Sequence, residues 1–161
     1  MRVTIVALAA LTAGTAFAQM NQAVDQTFVR DAARANQAEI KLCQLALQKA
    51  SGTEVRNLAQ QMMDDHQKVG DRLRSTVGPE AMMTPPQPSP EQQASYDKLA
   101  SLDGPTFDSA WIDTMKKEHD KAIALFQDES RRGSDAKLKS FADTTLPSLK
   151  MHRQMLDKAG R

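Results

Sequence analysis

Residues 28–47 read FVRDAARANQAEIKLCQLAL. Small and apolar side chains recur in this stretch at spacings of three and four residues, which places them on one face of an α-helix. The resulting stripe runs from Phe28 through Leu42 to Ala46, and Glu39 is the one charged residue on it. The stretch therefore predicts a long amphipathic helix that turns a single carboxylate toward the core.

Three further segments repeat this spacing, and no run of β-branched residues alternates with a period of two, so we predict an all-α fold. The four long helices are expected over residues 25–50, 54–76, 105–132 and 134–158. Gly52 and Gly133 suit the chain reversals between paired helices, and Thr53 and Ser134 are the expected caps of the helices that follow. The predicted architecture is a ferritin-like four-helix bundle made of two antiparallel helical hairpins.

A long proline-rich connection, residues 77–90, joins the two predicted hairpins and holds five of the seven prolines. Proline fixes the backbone angle φ and lacks an N–H donor, so no regular helix is expected in this connection. Ser89 followed by Pro90 is typical of a helix start and predicts a short extra helix over residues 91–102. Pro147 predicts a kink or a local bulge in the last long helix.

The first eighteen residues have the features of a secretory signal peptide, namely Arg2, an apolar run over residues 3–13 and the small-x-small sequence Ala16-Phe17-Ala18. The apolar run is too short to span a bilayer, and no later run of about 18 apolar residues follows it. We therefore expect residues 1–18 to be removed and residues 19–161 to form a single domain. Secretion across the inner membrane into the periplasm is predicted, without stable membrane insertion.

The charge balance and the motifs exclude several classes of function. The chain has 21 Lys and Arg residues against 20 Asp and Glu residues and a net charge of +1, without long runs of like charge, so nucleic acid is not an expected partner. No Gly-x-Ser-x-Gly elbow, phosphate-binding glycine loop or Cys-x-x-Cys motif is present, which leaves hydrolases and nucleotide-binding proteins without support. Cys43, the single cysteine, is expected to be a buried apolar residue, with an intermolecular disulfide or a soft metal ligand as the alternatives.

The three histidines, His66, His119 and His152, lie on three different helices at positions that the apolar pattern turns inward. With Glu39 they give one metal-capable side chain on each long helix, which is how helix bundles build metal sites. Imidazole and carboxylate groups bind first-row transition metals well, so we predict a metal site in the bundle core. When residues are counted from the turns, His152 lies five residues farther from its turn than His119 does, which is about 7.5 Å along the helix axis. His152 is therefore the weakest member of the predicted set.

Each histidine has a methionine about one turn away on the same helix face. Thioether sulfur beside imidazole favours copper, although methionine also fills gaps in helical cores without binding metal. The Glu-x-x-His motif of di-iron sites is absent, so a mononuclear site is expected rather than a ferroxidase centre. The expected metal is copper or iron, and the secondary candidate ligands are Met62, Met115 and Met155.

Three functions remain open at this stage. The first is a metal-binding protein with a role in storage, as a chaperone or in stress defence. The second is a metal-dependent oxidoreductase acting on oxygen or peroxide, which is less favoured because no residue requires turnover. The third is a structural or interaction module without metal, in which the polar core only fixes the register of the helices.

Two motifs carry a resemblance to a known family. The first begins at Phe28 and reads FVxxAAxxNxAEI, and the second ends at His152 and reads LPxLxxH. The chain resembles, over nearly all of residues 19–161, the secreted bacterial domain-of-unknown-function family four-one-four-two. The resemblance implies a ferritin-like four-helix fold without an established activity, and Cys43 stands where glycine is more usual. The residues that match motif positions of the family are Asn36, Glu39, His66, His119 and His152.

Overall fold

The computed structural model describes residues 11–78 and 87–160, and this part of the chain forms helices without strands. The all-α prediction is confirmed. The helices are α1 (Leu11–Lys49), α2 (Thr53–Val77), α3 (Pro90–Ala100), α4 (Gly104–Arg132) and α5 (Ala136–Ala159).

The four long helices form a bundle. α1 packs on α2 and α4, and α5 packs on α4 and α2, whereas the short helix α3 lies against α1 and α4. On α4, the indole Nε1 of Trp111 donates to the carbonyl of Leu42 on α1 at 2.9 Å, which fixes the register of these two helices.

α1 begins at Leu11, well before the predicted start at residue 25. Residues 11–24 contain no proline and several alanines, so nothing in the sequence interrupts the helix. Residues 1–10 of the predicted signal peptide, and residues 79–86 of the proline-rich connection, lie outside the described residues.

Ser89 caps α3 as predicted, with Pro90 at the first helical position. Its hydroxyl accepts from the backbone N–H of Gln92 at 3.2 Å, and the Gln92 side chain accepts from the backbone N–H of Ser89 at 2.9 Å. This reciprocal pair is a capping box, which satisfies two backbone donors that a helix start otherwise leaves free.

The predicted cap of α2 was wrong by one position. Gly52, not Thr53, precedes the first helical residue, and no side chain of the turn itself caps the helix. Asp108 on α4 instead bonds to the turn just before the helix, since its carboxylate accepts from the backbone N–H groups of Ser51 at 3.0 Å and Gly52 at 2.8 Å. A local sequence pattern cannot show a contact that a distant helix supplies.

The predicted cap of α5 was also wrong by one position. Asp135 caps the helix, and its carboxylate accepts from the backbone N–H groups of Lys137 and Leu138 at 2.7 and 3.1 Å. Ser134 is occupied elsewhere, because its backbone N–H and its hydroxyl both donate to Asp25 on α1.

α5 continues as an α-helix across Pro147, so the predicted bulge is absent. Proline removes the N–H that would bond to the carbonyl of Asp143, four residues earlier. Pro147 and Asp143 are both exposed, so water can bond to that carbonyl and the proline ring faces solvent. The exposed face of the helix therefore tolerates the proline.

The apolar core has two halves. One half surrounds Trp111 and Met62. The other surrounds Phe28, whose ring packs edge-on against those of Phe126 and Phe141 at centroid distances of 5.0 and 6.1 Å. Each of the four long helices contributes residues to both halves of the core, and a buried polar residue lies between the two sets of residues on each helix. The polar residues therefore lie in a layer between two apolar clusters.

Glu129 is fully buried beside the turn between α4 and α5, close to Asp25. Burial, followed by the negative charge of Asp25, raises the pKa of Glu129 from 4.5 to about 7. The folded protein therefore keeps a proton on Glu129 at pH values where the unfolded chain has lost it.

Because the folded state binds this proton more tightly, the contribution of Glu129 to stability is complete below about pH 4.5 and is lost as the pH rises to about 7. We expect the free energy of unfolding of the wild-type protein, measured relative to that of Glu129→Gln, to fall over this range, because the glutamine stays neutral. Urea unfolding at several pH values, compared between the two proteins, measures the difference. Identical slopes for both proteins would contradict the assignment.

Candidate metal centre

Each long helix brings one polar side chain into the layer between the two apolar clusters. Glu39 comes from α1, His66 from α2, His119 from α4 and His152 from α5. Their exposed fractions are 1%, 3%, 0% and 1%, so none of them is solvated. Four ionisable groups withdrawn from water are costly unless they satisfy one another or bind an ion.

The three imidazole rings form a nearly equilateral triangle. The ring centroids of His66, His119 and His152 are 5.5 Å apart in every pair. One ring nitrogen from each histidine lies within 4.8 Å of the other two, which is close enough for the three nitrogens to hold one metal ion. The structure thus brings all three histidines together.

Glu39 closes one side of the triangle. Its Oε2 lies 2.7 Å from His66 Nε2 and 3.8 Å from His119 Nε2. Neither contact has the alignment of a hydrogen bond, so both Glu39 oxygens and His66 Nε2 lack a hydrogen-bond partner within the described part of the chain. Buried polar atoms without partners are rare in folded proteins and indicate that something else occupies their bonding positions.

The outward nitrogen of each histidine meets an acceptor. His66 Nδ1 lies 3.1 Å from Asn36 Oδ1, and His119 Nδ1 lies 3.0 Å from the carbonyl of Met115. His152 Nε2 lies 3.1 Å from the carboxylate of Asp65. Since a backbone carbonyl and a carboxylate only accept, the outward nitrogens of His119 and His152 carry the hydrogens of their neutral rings.

These tautomers leave two inward nitrogens, His119 Nε2 and His152 Nδ1, as unprotonated lone pairs. The two nitrogens face each other at 3.4 Å, and Glu39 adds a carboxylate beside them. The centre of the cluster therefore contains two imidazole lone pairs and a carboxylate, with His66 Nε2 at 2.7 Å from that carboxylate. Such an arrangement can bind a cation at that point.

The pKa shifts agree with this arrangement. Burial by itself would raise the pKa of Glu39, but the charges that His119 and His66 can carry beside it lower the pKa to about 2. Burial lowers the pKa of His119, and burial with the charge of His66 lowers the pKa of His152 to about 4. At neutral pH, Glu39 is an anion and His119 and His152 are neutral, which are the protonation states of metal ligands.

His152 is level with the other histidines, contrary to the count from Gly133. Side chains on a helix lean toward its N-terminus. His119 therefore leans away from the turn between α4 and α5, whereas His152 leans toward it, and the two leans together compensate for the unequal spacing. α5 also begins only at Ala136, so part of the counted spacing belongs to the turn rather than to the helix.

The methionine candidates divide into two groups. Met62 and Met115 are fully buried in the apolar cluster next to the histidines. Met155 is only half-buried, packs against the outside of the same cluster and lines a surface groove with Glu54 and Asn57. Cys43 is fully buried and unpaired, as the apolar alternative for this residue predicted.

Asn36 and Asp65 orient the histidines, and the helical spacing alone does not assign them this role. Asn36 follows the family motif, and a local signal exists because it lies three residues before Glu39 on the same helix face. Asp65 stands directly before His66 in the sequence, and the structure shows it holding His152 from another helix. Glu118 stands directly before His119, but it is buried and bonds to Lys121 at 3.0 Å.

Loss of the Asp65 carboxylate is expected to weaken metal binding by roughly 10- to 100-fold, because His152 loses the acceptor that fixes its tautomer. Competition with a chelating dye measures the affinity of Asp65→Ala. Asp64→Ala is the matched control, since this neighbouring aspartate bonds only to Gln60 on the surface among the described residues. Equal losses in both variants would show that Asp65 acts through general charge rather than through His152.

Within residues 11–78 and 87–160, no helix combines the length and the apolar character that a membrane crossing needs.

Solved structures of other helical proteins share this fold. A DUF305 protein described as secreted, from Streptomyces coelicolor, is 16% identical with a TM-score of 0.70, covering 85% of this chain and 92% of that chain. A DUF305 fragment from Deinococcus radiodurans is 15% identical with a TM-score of 0.73, covering 84% and 93%. CopM in its Cu(II)-bound form is 18% identical with a TM-score of 0.69, covering 84% and 95%, and CopM is also solved with Cu(I) and with silver.

At these identities the structural likeness establishes the helical-bundle fold. No curated protein matches the sequence. The family model "Domain of unknown function (DUF4142)" matches residues 10–159, which is nearly the whole chain. The resemblance seen in the motifs is thereby confirmed, and this chain belongs to the DUF4142 family.

Proposed function

We propose that this protein is a secreted, periplasmic copper-binding protein in which Glu39, His66, His119 and His152 hold one copper ion. The observation that carries the proposal is the convergence of three buried imidazole rings, with one ring nitrogen of each within 4.8 Å of the other two, on a carboxylate whose oxygens lack a hydrogen-bond partner in the described part of the chain. Acceptors outside the cluster fix the rings of His119 and His152. Without a cation, the lone pairs of these two rings and the carboxylate of Glu39 face one another in an environment that excludes water.

Copper is the proposed metal for two reasons. Imidazole and carboxylate together suit Cu(II), which stands highest among the divalent first-row metals in the affinity order for nitrogen and oxygen donors. CopM, which shares the fold, is known in Cu(II)-, Cu(I)- and silver-bound forms. We infer that the ferritin-like pairing of two hairpins is the feature that lets four helices each supply one ligand.

A carrier or storage role is favoured over catalysis. Four protein donors fill the coordination positions that a catalytic metal keeps open for a substrate. The exposed fraction of every proposed ligand is 3% or less, so oxygen or peroxide has no direct access to the centre in this conformation. The proposed role is therefore to bind copper tightly in the periplasm, as a store, a chaperone or a defence against excess metal.

Elemental analysis tests the proposal. Protein without an affinity tag is incubated with Cu, Fe, Mn and Zn together, desalted and analysed, and about one copper per chain is expected, as four converging donors imply. The double variant Glu39→Gln/His66→Ala is expected to lose that copper, while Glu118→Gln keeps it. Retention of copper by the double variant, or a different metal in the wild-type protein, would overturn the assignment.

A further inference from the structure

Three sulfur-bearing side chains lie one turn away from the proposed copper site and take no part in it. Cys43, Met62 and Met115 each stand four residues from Glu39, His66 or His119 on the same helix. Four residues make about one helical turn, so each sulfur residue shares a face with a residue of the metal centre. All three are 0% exposed and belong to the same buried cluster.

The three sulfur residues lie in the same direction from the copper site. α1 ends and α2 begins at the turn around Gly52, and Asp108 near the start of α4 bonds to that turn at 2.8 Å. The direction from the copper site toward this turn therefore runs toward the C-terminus of α1 and toward the N-termini of α2 and α4. Cys43 lies after Glu39, whereas Met62 and Met115 lie before their histidines, so all three reach the same layer.

The remaining long helix, α5, contributes an apolar side chain to this layer. Leu156 stands four residues after His152 on α5 and is also 0% exposed. The hydrogen bond from Trp111 Nε1 to the carbonyl of Leu42, next to Cys43, holds α4 against α1 beside the layer. The layer thus combines one thiol and two thioethers with an apolar wall and no contact with solvent.

We propose that Cys43, Met62 and Met115 form a second metal site, specific for a soft monovalent cation such as Cu(I) or Ag(I). Thiolate and thioether ligands select such ions, whereas the neighbouring imidazole and carboxylate groups suit a divalent ion. On binding, the S–H bond of Cys43 breaks, a bond from sulfur to the metal forms, and the proton leaves to solvent. The thiolate and the monovalent cation cancel each other's charge, which lowers the cost of holding the ion in an apolar layer.

Packing alone is the competing explanation, since methionine often fills gaps in helical cores. Silver distinguishes the two explanations because Ag(I) is diamagnetic and has no redox step under these conditions. The test uses the full chain with Glu39→Gln and His66→Ala, which removes the proposed copper site. Ag(I) is added to this protein after its methionine ε-methyl groups are labelled with ¹³C.

The ε-methyl resonances of Met62 and Met115 are expected to shift with the first equivalent of Ag(I), while those of exposed Met151 and half-buried Met155 do not. The additional change Cys43→Ala is expected to weaken Ag(I) binding by more than roughly 100-fold, beyond the loss typical for a residue that only orients a ligand. Met151→Leu is the control that should leave binding unchanged. The same titration of the wild-type chain, in which Met62 and Met115 are also expected to shift, keeps the test decisive if the double variant does not fold.

Unshifted Met62 and Met115 resonances at several equivalents of Ag(I), or shifts that begin at Met151, would overturn the second site. Either result would leave the copper site of the histidines and Glu39 untouched, since that site is tested by copper content in the wild-type background. If Cys43→Ala binds Ag(I) as tightly as its parent, the thiol is not a ligand and the proposed three-sulfur site is wrong.

Discussion

His119→Ala is expected to reduce the copper affinity of this protein by more than about 100-fold, beyond the loss typical for residues that only orient a ligand. His119 lies beside two other proposed ligands, with its Nε2 3.4 Å from His152 Nδ1 and 3.8 Å from Glu39 Oε2. Alanine removes one of the four donors and leaves the ion with three. Competition with a chelating dye of known affinity measures the change.

Glu118→Gln is the matched control for this experiment. Glu118 is also buried on α4 and precedes His119 directly, but its carboxylate bonds to Lys121 rather than to the cluster. Its replacement should leave the copper affinity within experimental error of the wild-type value. A loss of similar size in both variants would mean that α4 is disturbed as a whole and that His119 has no special part.

Replacement of all four ligands by leucine is expected to make the metal-free protein more stable, by about 1–4 kcal/mol, as apolar replacements of buried charged groups often do. The change removes the repulsion among the lone pairs of His119 and His152 and the Glu39 carboxylate, and it joins the two apolar clusters into one. Asn36 and Asp65, which lose their partners, are only half-buried and can bond to water. Guanidinium unfolding with and without copper measures the effect.

The same variant should lose the stabilisation that copper gives to the wild-type protein, which is about 2.7 kcal/mol at a free metal concentration 100 times the dissociation constant. A different outcome would favour the structural alternative. If the leucine variant unfolds without cooperativity or forms a different oligomer, the polar layer serves to fix the register of the helices. If it is simply less stable than the metal-free wild-type protein, the repulsion inferred from the geometry does not exist.

The helices were predictable because their signal is local. The three- and four-residue spacing around Phe28 and Trp111 reflects one helix face and does not depend on partners. The caps at Gly52 and Asp135 were missed because Asp108 and Asp25, which bond to the two turns, come from other helices. Such contacts join residues far apart in the chain, and no local spacing reveals them.

The apolar stripe on each helix predicts that the site residues face inward. It does not predict whether they lie at the same position along the bundle axis. His152 was expected to lie out of line because residues were counted from Gly133 without regard to the lean of side chains. The roles of Asp65 and Asn36 depend on which atom faces which nitrogen at about 3.1 Å, as the two contacts show. Geometry of that kind is set by packing and not by periodicity.

The most direct test of the central claim is an anomalous difference map, recorded at the copper absorption edge from crystals grown with Cu(II). A single strong peak among His66 Nε2, His119 Nε2, His152 Nδ1 and the Glu39 carboxylate is the result that we predict. A map with no peak in the core, or with copper only on the surface, would contradict the claim that this bundle is built around a copper site.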